Sequence, residues 1–424
     1  MNLIKKIKAS ELIKITSLNS LSVILKLGIG LITSKVIATY IGSSGLALVG
    51  NFRNFVGTFE TISTLGSQNG IVKYIAEQRE QESELKKHIS TVFISVLAVS
   101  ILLSLLLFFG SAYWNKIIFG ANYDFGFVFK AFSFALPWYA LSIVLVGIIN
   151  GLGKYNSVIY ITIIGNFIGL FVSVLFIYNY QTTGALLGII TTPSLLFLVS
   201  FYYINKEIPL LNCVRFQFFD INIIKKFSDY FLMALVSSIV GSIVLLAIRK
   251  NIITSVGLKE AGYWEAITRI SSYYLLFVSS ILTLYFLPKL AIAKDNLETK
   301  KVFWSFYKTI FPFFIVGVTL LYYTRFLIVK ILFTNEFLPV TTLFFWQLLG
   351  DLLKMASWIL GYQFFAKKMT LAFIVTELFS HCIMFISSSY LVRLFGLEGV
   401  VMAHTMTYFV YLIVLVVYFR KSLF

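Results

Sequence analysis

An all-α polytopic membrane fold is predicted by three features of this sequence. Hydrophobic residues fill 59% of its 424 positions and charged residues only 12%, more apolar surface than a soluble core of this size buries. Twelve apolar runs each reach the roughly 20 residues that a helix needs to cross a hydrocarbon layer. The two halves of the chain also resemble each other, which sorts the twelve spans into two sets of six.

The runs are 17–40, 46–69, 89–111, 127–150, 157–178, 183–204, 227–250, 262–287, 303–323, 341–365, 370–391 and 398–419. The first follows MNLIKKIKASELIK, a basic amphipathic stretch with no small-residue cleavage site before the span; it reads as an uncleaved cytoplasmic end. The second contains NFRNFVGTFETIST and is polar for a span, but its polar residues recur with helical spacing. Spans three to six are more uniformly apolar and complete the first half, 1–204. The stretch NKEIPLLNCVRFQFFDINIIKK, 205–226, is basic and connects it to the second half, 227–424. There the eighth and tenth spans again carry regular polar stripes.

Orientation follows from the loops. With the N-terminus inside, 21 Lys and Arg fall in the inner segments, among them Lys73, Arg79, Lys86, Lys87, Lys289, Lys300 and Lys301. Only seven fall outside: Lys116, Arg249, Lys250, Lys259, Arg325, Lys330 and Arg393. This bias puts both termini in the cytoplasm. It also accounts for the net charge of +17 without nucleic acid as a partner.

The repeat rests on three pairs in order. IGSSGLALV (41–49) aligns with LKEAGYWEA (258–266), IIFGANYDF (117–125) with ILFTNEFLP (331–339), and TTGALLGI (182–189) with LEGVVMAH (397–404). The basic turns Gly151-Leu152-Gly153-Lys154 and Phe364-Phe365-Ala366-Lys367 follow the second pair. An even number of spans per half makes this a parallel repeat, a plan that sets a substrate site between the halves.

Cations lie inside the spans. Burying one near a bilayer centre costs roughly 2.5–3.5 kcal/mol, so it turns to a bundle interior or a wet cavity. Lys26 shares a helical face with Asn19, Ser22 and Thr33. Lys35, nine residues further, falls on the opposite side, where it can snorkel. Arg53 stands with Gly57, Glu60, Thr64 and Ser67; Arg269 with Glu265, Thr268, Ser272 and Ser279; Lys354 with Gln347, Asp351, Trp358 and Tyr362. Glu377 precedes His381 by one turn, and His404 shares a face with Tyr408 and Tyr411. These stripes either line one central cavity for an anionic cargo or hold pairs such as Asp351 with Lys354 and Arg53 with Glu60. Arg matches phosphate through its planar fork, Lys as a mobile point charge. Lys26, Arg53, Arg269 and Lys354 are the candidate binding residues. Glu60, Asp351 and Glu377 are the main carboxylates within spans and the candidates for ion coupling.

No metal-ligand spacing, nucleophile elbow or phosphate-cradling loop is present, so neither cofactor nor catalysis is expected. Cys213 and Cys382 are too far apart in sequence to read as a framework, and three histidines are too scattered for a metal.

Gly45-Leu46 with Asn51-Phe52-Arg53, Asn69-Gly70-Ile71-Val72-Lys73-Tyr74-Ile75-Ala76, Leu287-Pro288-Lys289-Leu290 and above all Trp346-Gln347-Leu348-Leu349-Gly350-Asp351-Leu352-Leu353-Lys354 resemble the Wzx-type oligosaccharide-lipid flippases. The likeness is greatest to the branch that moves O-antigen units and the enterobacterial common antigen lipid. The resemblance runs nearly end to end and implies membership of the multidrug/oligosaccharidyl-lipid/polysaccharide exporter superfamily. It implies two six-helix bundles facing each other in a V. It implies an undecaprenyl-pyrophosphate-linked oligosaccharide moved across the bacterial inner membrane by alternating access. A glycan polymerase and a chain-length protein would be its membrane partners. Within that pattern Arg53 and Lys354 lie in the motif blocks, whereas Lys26 and Arg269 match the family's cavity cations only in kind. The rivals are a cation-coupled multidrug antiporter of the same superfamily and a membrane glycan polymerase. A cationic interior disfavours the first, and the lack of a large outer loop the second.

Overall fold

The structure, a computed structural model, describes residues 2–424 in backbone and all side chains except those of 1–21, 69, 226–230 and 284. Asn19 and the basic residues before it therefore lie outside the described side chains. Among the described residues every regular element is helical.

The helix Asn2–Ser63 breaks at Gly42 (φ 65°, ψ −168°), which divides it into α1 (2–41) and α2 (43–63). Next come α3 (Glu82–Phe109) and α4 (Gly126–Gly151). The 53-residue helix Tyr155–Glu207 breaks at Gln181 into α5 (155–180) and α6 (182–207). The second half continues with α7 (Ile221–Ser255), α8 (Leu258–Ile281), α9 (Asn296–Tyr323), α10 (Val340–Ala366), α11 (Thr370–Phe395) and α12 (Glu398–Tyr418). Among the described residues nine helices are long and apolar enough to cross a membrane, each of the two broken helices counted once. The helix α8 is not among them, held back by Lys259, Glu260, Glu265 and Arg269. The polar second run is helical as expected, but it stops at Ser63 rather than 69. Leu65 and Gly66 then turn through positive φ before the short helix Gln68–Gln78.

The repeat is written into the backbone. Gly42 pairs with Gly257, Gly153 with Lys368 and Gln181 with Gly396, each 215 residues apart and each at positive φ. Short helices recur in step, Ser111–Phe119 with Arg325–Leu332. The sequence alignment of Gly45 with Gly262 is therefore two residues out of register, and that of the basic turns differs similarly.

At Gln181 the chain reverses. A Cβ on Gly184 would lie 1.9 Å from the Phe176 carbonyl oxygen, one on Gly188 3.1 Å from Ser173, and one on Gly165 2.5 Å from Leu196. Small residues thus let α5 and α6 pack antiparallel at backbone distance, as in other membrane helix pairs. The second unit repeats the device: a Cβ on Gly399 would sit 2.2 Å from the Leu391 carbonyl oxygen. The halves differ after α8, where a π-turn, Leu282–Phe286, leads into Leu287–Ile292. Pro288 lacks an N–H to donate back into that turn, which forces the register change.

The chain forms two compact units, Met1–Val36 with Phe55–Leu235 and Ile37–Asn54 with Val236–Phe424. Residues 37–54, counted with 1–204 from sequence, thus belong to the second unit, and the 205–226 connection to the first. It is no loose linker. Ser90 Oγ donates to the Arg215 carbonyl at 2.6 Å, the Asp220 amide donates to Thr91 Oγ1 at 2.9 Å, and Leu210, Cys213 and Ile223 enter the core around Ile89, Val144 and Ile148.

Candidate substrate cavities and an arginine cluster

Each unit holds a cavity, and the two are built at equivalent positions. The first unit's encloses about 470 Å³ and is lined in part by Lys26, Glu60, Gln68, Asn150 and Asn166. The second unit's encloses about 410 Å³. Ser142, Ile143, Gly147, Thr162, Asn166 and Pro193 of the first match Ser357, Trp358, Tyr362, Glu377, His381 and Tyr408 of the second, again 215 residues on. Duplication preserved the framework while the chemistry diverged.

In the first cavity Glu60 accepts from the Tyr139 hydroxyl at 2.6 Å and from Gln68 Nε2 at 3.3 Å. Its partner is not Arg53. Lys26 lines the same cavity and is exposed. Asn166 Nδ2 and Thr192 Oγ1, also in the lining, are buried and make no hydrogen bond.

In the second cavity Asp351 is fully buried. It accepts from the Ser271 hydroxyl at 2.6 Å, from the Tyr274 hydroxyl and from Gln347 Nε2, and His404 Nε2 lies 3.0 Å from it. Lys354, its expected partner, instead places its ammonium 5.5 Å from the Trp358 ring centre and 5.2 Å from that of Tyr408. Of the four groups around Asp351 only Gln347, one turn before it on α10, follows from spacing along one helix; Ser271 and Tyr274 come from α8 and His404 from α12. Glu377 accepts from Ser237 at 3.1 Å and faces His381 Nε2 at 3.5 Å, a pairing within one stripe at i+4 spacing.

Arg53 and Arg269 line neither cavity. They converge with Arg249 on a single carboxylate within the second unit. Arg249 Nη2 donates to Glu265 Oε2 at 2.6 Å, Arg269 Nε donates to Oε1 at 3.0 Å, and Arg53 Nη1 stands 3.7 Å from Oε1. Arg249 Nη1 also reaches Asn51 Oδ1 at 3.0 Å. Gly50 makes room: a Cβ there would lie 2.3 Å from Glu265 and 2.8 Å from Arg249. Three guanidiniums against one carboxylate leave excess positive charge in a dry place. Arg249 Nε and Arg269 Nη2 are buried and donate to nothing, and Arg53 keeps 47% of its side chain exposed. The cluster has donors to spare and an open side, which suits a multivalent anion.

Arg249 was missed because it sits at the outer end of a span, where an arginine ordinarily snorkels. The repeat held the signal: Arg249 and Glu265 each stand eight residues from Gly257, so the break there brings them together.

The profile of the polysaccharide biosynthesis proteins matches residues 12–294. The lipid III flippase of Escherichia coli (strain K12) is 25% identical over 394 residues, which cover 92% of this chain and 94% of that protein. Among solved structures, an inward-facing multidrug-resistance MATE transporter of the MOP superfamily superposes with a TM-score of 0.76 at 15% identity, over 95% of this chain and 98% of its own. The lipid II flippase MurJ in an inward closed conformation superposes at 0.71 and 16% identity, over 96% and 87%. The likeness to these solved structures carries the fold.

Proposed function

Because the chain belongs to the polysaccharide biosynthesis protein family, we propose that it is a flippase for an undecaprenyl-pyrophosphate-linked oligosaccharide. It moves the lipid-linked glycan from the cytoplasmic to the periplasmic leaflet of a bacterial inner membrane by alternating access. Both termini face the cytoplasm, as the loop charge bias requires. The observation that carries the reading is the cluster of Arg53, Arg249 and Arg269 on Glu265. A pyrophosphate head is a multivalent anion that must shed water to cross the membrane, and unfilled guanidinium donors replace that water. Glu265 keeps the guanidiniums aimed while the site is empty. Arg53, the exposed member, meets the head first. Lys26 and Lys354, in the two cavities, extend the cationic path. A cationic drug would be repelled by the same cluster. Glu60, Asp351 and Glu377 remain the carboxylates through which an ion gradient would act; all three line a cavity, Asp351 beside His404 and Glu377 beside His381.

Cells deprived of their own oligosaccharide-lipid flippase and supplied with this chain give the test. Arg53→Ala should insert at normal level and lose most surface glycan, because the exposed guanidinium is not needed for packing. Arg53→Lys keeps the charge without the fork and should retain part of it. Full surface glycan with Arg53→Ala would remove the pyrophosphate role of the cluster.

A further inference from the structure

We propose that the cavity of the second unit is a sugar subsite, which takes the ring next to the pyrophosphate while the arginine cluster holds the phosphates. This deepens the flippase reading and rests on it. Three observations carry it.

The first is the placement of two stripes on one helix. Along α8, Trp264, Thr268, Ser271 and Leu275 line the cavity, while Glu265 and Arg269 turn to the cluster. These are adjacent faces of a single helix. Trp264 belongs to both, since it lines the cavity and carries the Arg249 guanidinium 5.1 Å from its ring centre. A sugar joined to pyrophosphate by one glycosidic bond presents a ring and an anion at that same close spacing.

The second is the divergence of the two cavities. Trp358, Tyr362, Phe365, Tyr408 and Tyr411 of the second stand where the first has Ile143, Gly147, Asn150, Pro193 and Leu196. Since the first unit folds into the same framework without them, the aromatic lining is not what the fold requires. Pyranose rings have apolar C–H faces that pack on flat aromatic surfaces and a rim of hydroxyls that need partners. Tyr362 is held for such a contact by its hydroxyl, 3.0 Å from Thr283 Oγ1.

The third is polar capacity. His381 Nε2 is buried and makes no hydrogen bond, at the position equivalent to the unpartnered Asn166. Glu377 beside it accepts from Ser237 at 3.1 Å. Together they offer a donor and acceptors to ring hydroxyls. A lipid tail would leave these groups unpaired, and the Lys354 ammonium over two of the rings repels a cationic guest. About 410 Å³ falls within the range of small-ligand sites.

Binding by the purified full-length protein in nanodiscs tests the assignment with two probes, polyprenyl pyrophosphate without sugar and polyprenyl pyrophosphate bearing one N-acetylglucosamine ring. Wild type should bind the glycosylated probe about tenfold tighter. Trp358→Leu, which keeps apolar volume but loses the flat face, should bring the two affinities within about threefold of each other while the affinity for the bare probe is unchanged, which also shows that the variant folds. Glu377→Gln, which removes only a charge, should do the same and carries the test should the first variant not accumulate. Trp138→Leu, on the exposed surface of the first unit, should change neither affinity. Equal affinity of wild type for both probes, or equal weakening of both probes by the variants, overturns the sugar subsite and leaves the flippase reading standing. Failure of wild type to bind either probe overturns both.

Discussion

Asp351 illustrates how far side-chain chemistry departs from spacing along a helix. The carboxylate sits one turn before Lys354, yet its partners are Ser271, Tyr274, Gln347 and His404. Three donors and an imidazole satisfy both oxygens, as a buried charge demands. Asp351→Asn would turn an NH₂ toward groups that donate, so it should lower thermal stability by about 3–5 kcal/mol, the cost of breaking a buried charged pair. The double exchange Asp351→Lys with Lys354→Asp should not restore it, because Lys354 is held by Trp358 and Tyr408 instead. Thermal unfolding in detergent reads both; rescue by the double exchange would restore the lysine as partner. The candidate residues Arg53, Arg269, Lys26 and Lys354 were all legible in the sequence as cations inside apolar runs. Their partners on the same helix, Glu265 for Arg269 and Trp358 for Lys354, stood in the same stripes; partners on other helices, such as Glu265 for Arg53 and Tyr408 for Lys354, were not legible, because the pairing of helices is set by tertiary packing. Arg249, which the sequence assigns to a helix end, shows the same limit.

Helix breaks were legible to within a few residues where glycine or a basic turn marks them. Gly42 lies between the predicted first and second spans, and Gln181 between the fifth and sixth. Gln181 itself gave no sign, since its side chain does not favour the backbone it adopts (φ 48°, ψ −120°). Its repeat counterpart Gly396 takes nearly the same angles (φ 59°, ψ −137°) without a Cβ to strain them. Gln181→Gly should therefore raise stability by about 1 kcal/mol, and Gly396→Gln lower it by about as much or more. Unchanged melting in both variants would mean that the reversal is held by α5–α6 packing alone. The 205–226 connection is a second case. Burial pushes the Cys213 thiol up, which leaves less thiolate at neutral pH. The native thiol should react slowly with a maleimide and rapidly once the protein is unfolded. Phe216→Cys, at an exposed position, should label readily, but in intact cells only with a membrane-permeant reagent. Labelling there by an impermeant reagent would reverse the proposed topology.

At the scale of the molecule, duplication explains the most with the least. Apolar run length marked most of the helices, because a hydrocarbon layer sets a length that sequence can meet or fail, whereas the polar second run and α8 were found by the helical spacing of their polar residues. Three aligned motifs sufficed to find the repeat, though its register of 215 residues emerges only from the paired breaks. The two equivalent cavities were not legible at all, since a cavity is defined by what six helices leave empty. The linings of the two differ. The first carries Lys26 and Glu60 among amides, the second an aromatic chamber beside an arginine cluster. The central claim is that this scaffold moves a pyrophosphoryl-linked glycan between leaflets. Purified protein in liposomes, with a fluorescent short-glycan polyprenyl pyrophosphate in both leaflets and a membrane-impermeant quencher outside, measures that movement directly. The slow fraction of quenching, absent from empty liposomes, should appear with wild type and fall sharply with Arg53→Ala, while a cationic dye gains no passage. Quenching indistinguishable from empty liposomes, together with transport of the dye, would contradict the account.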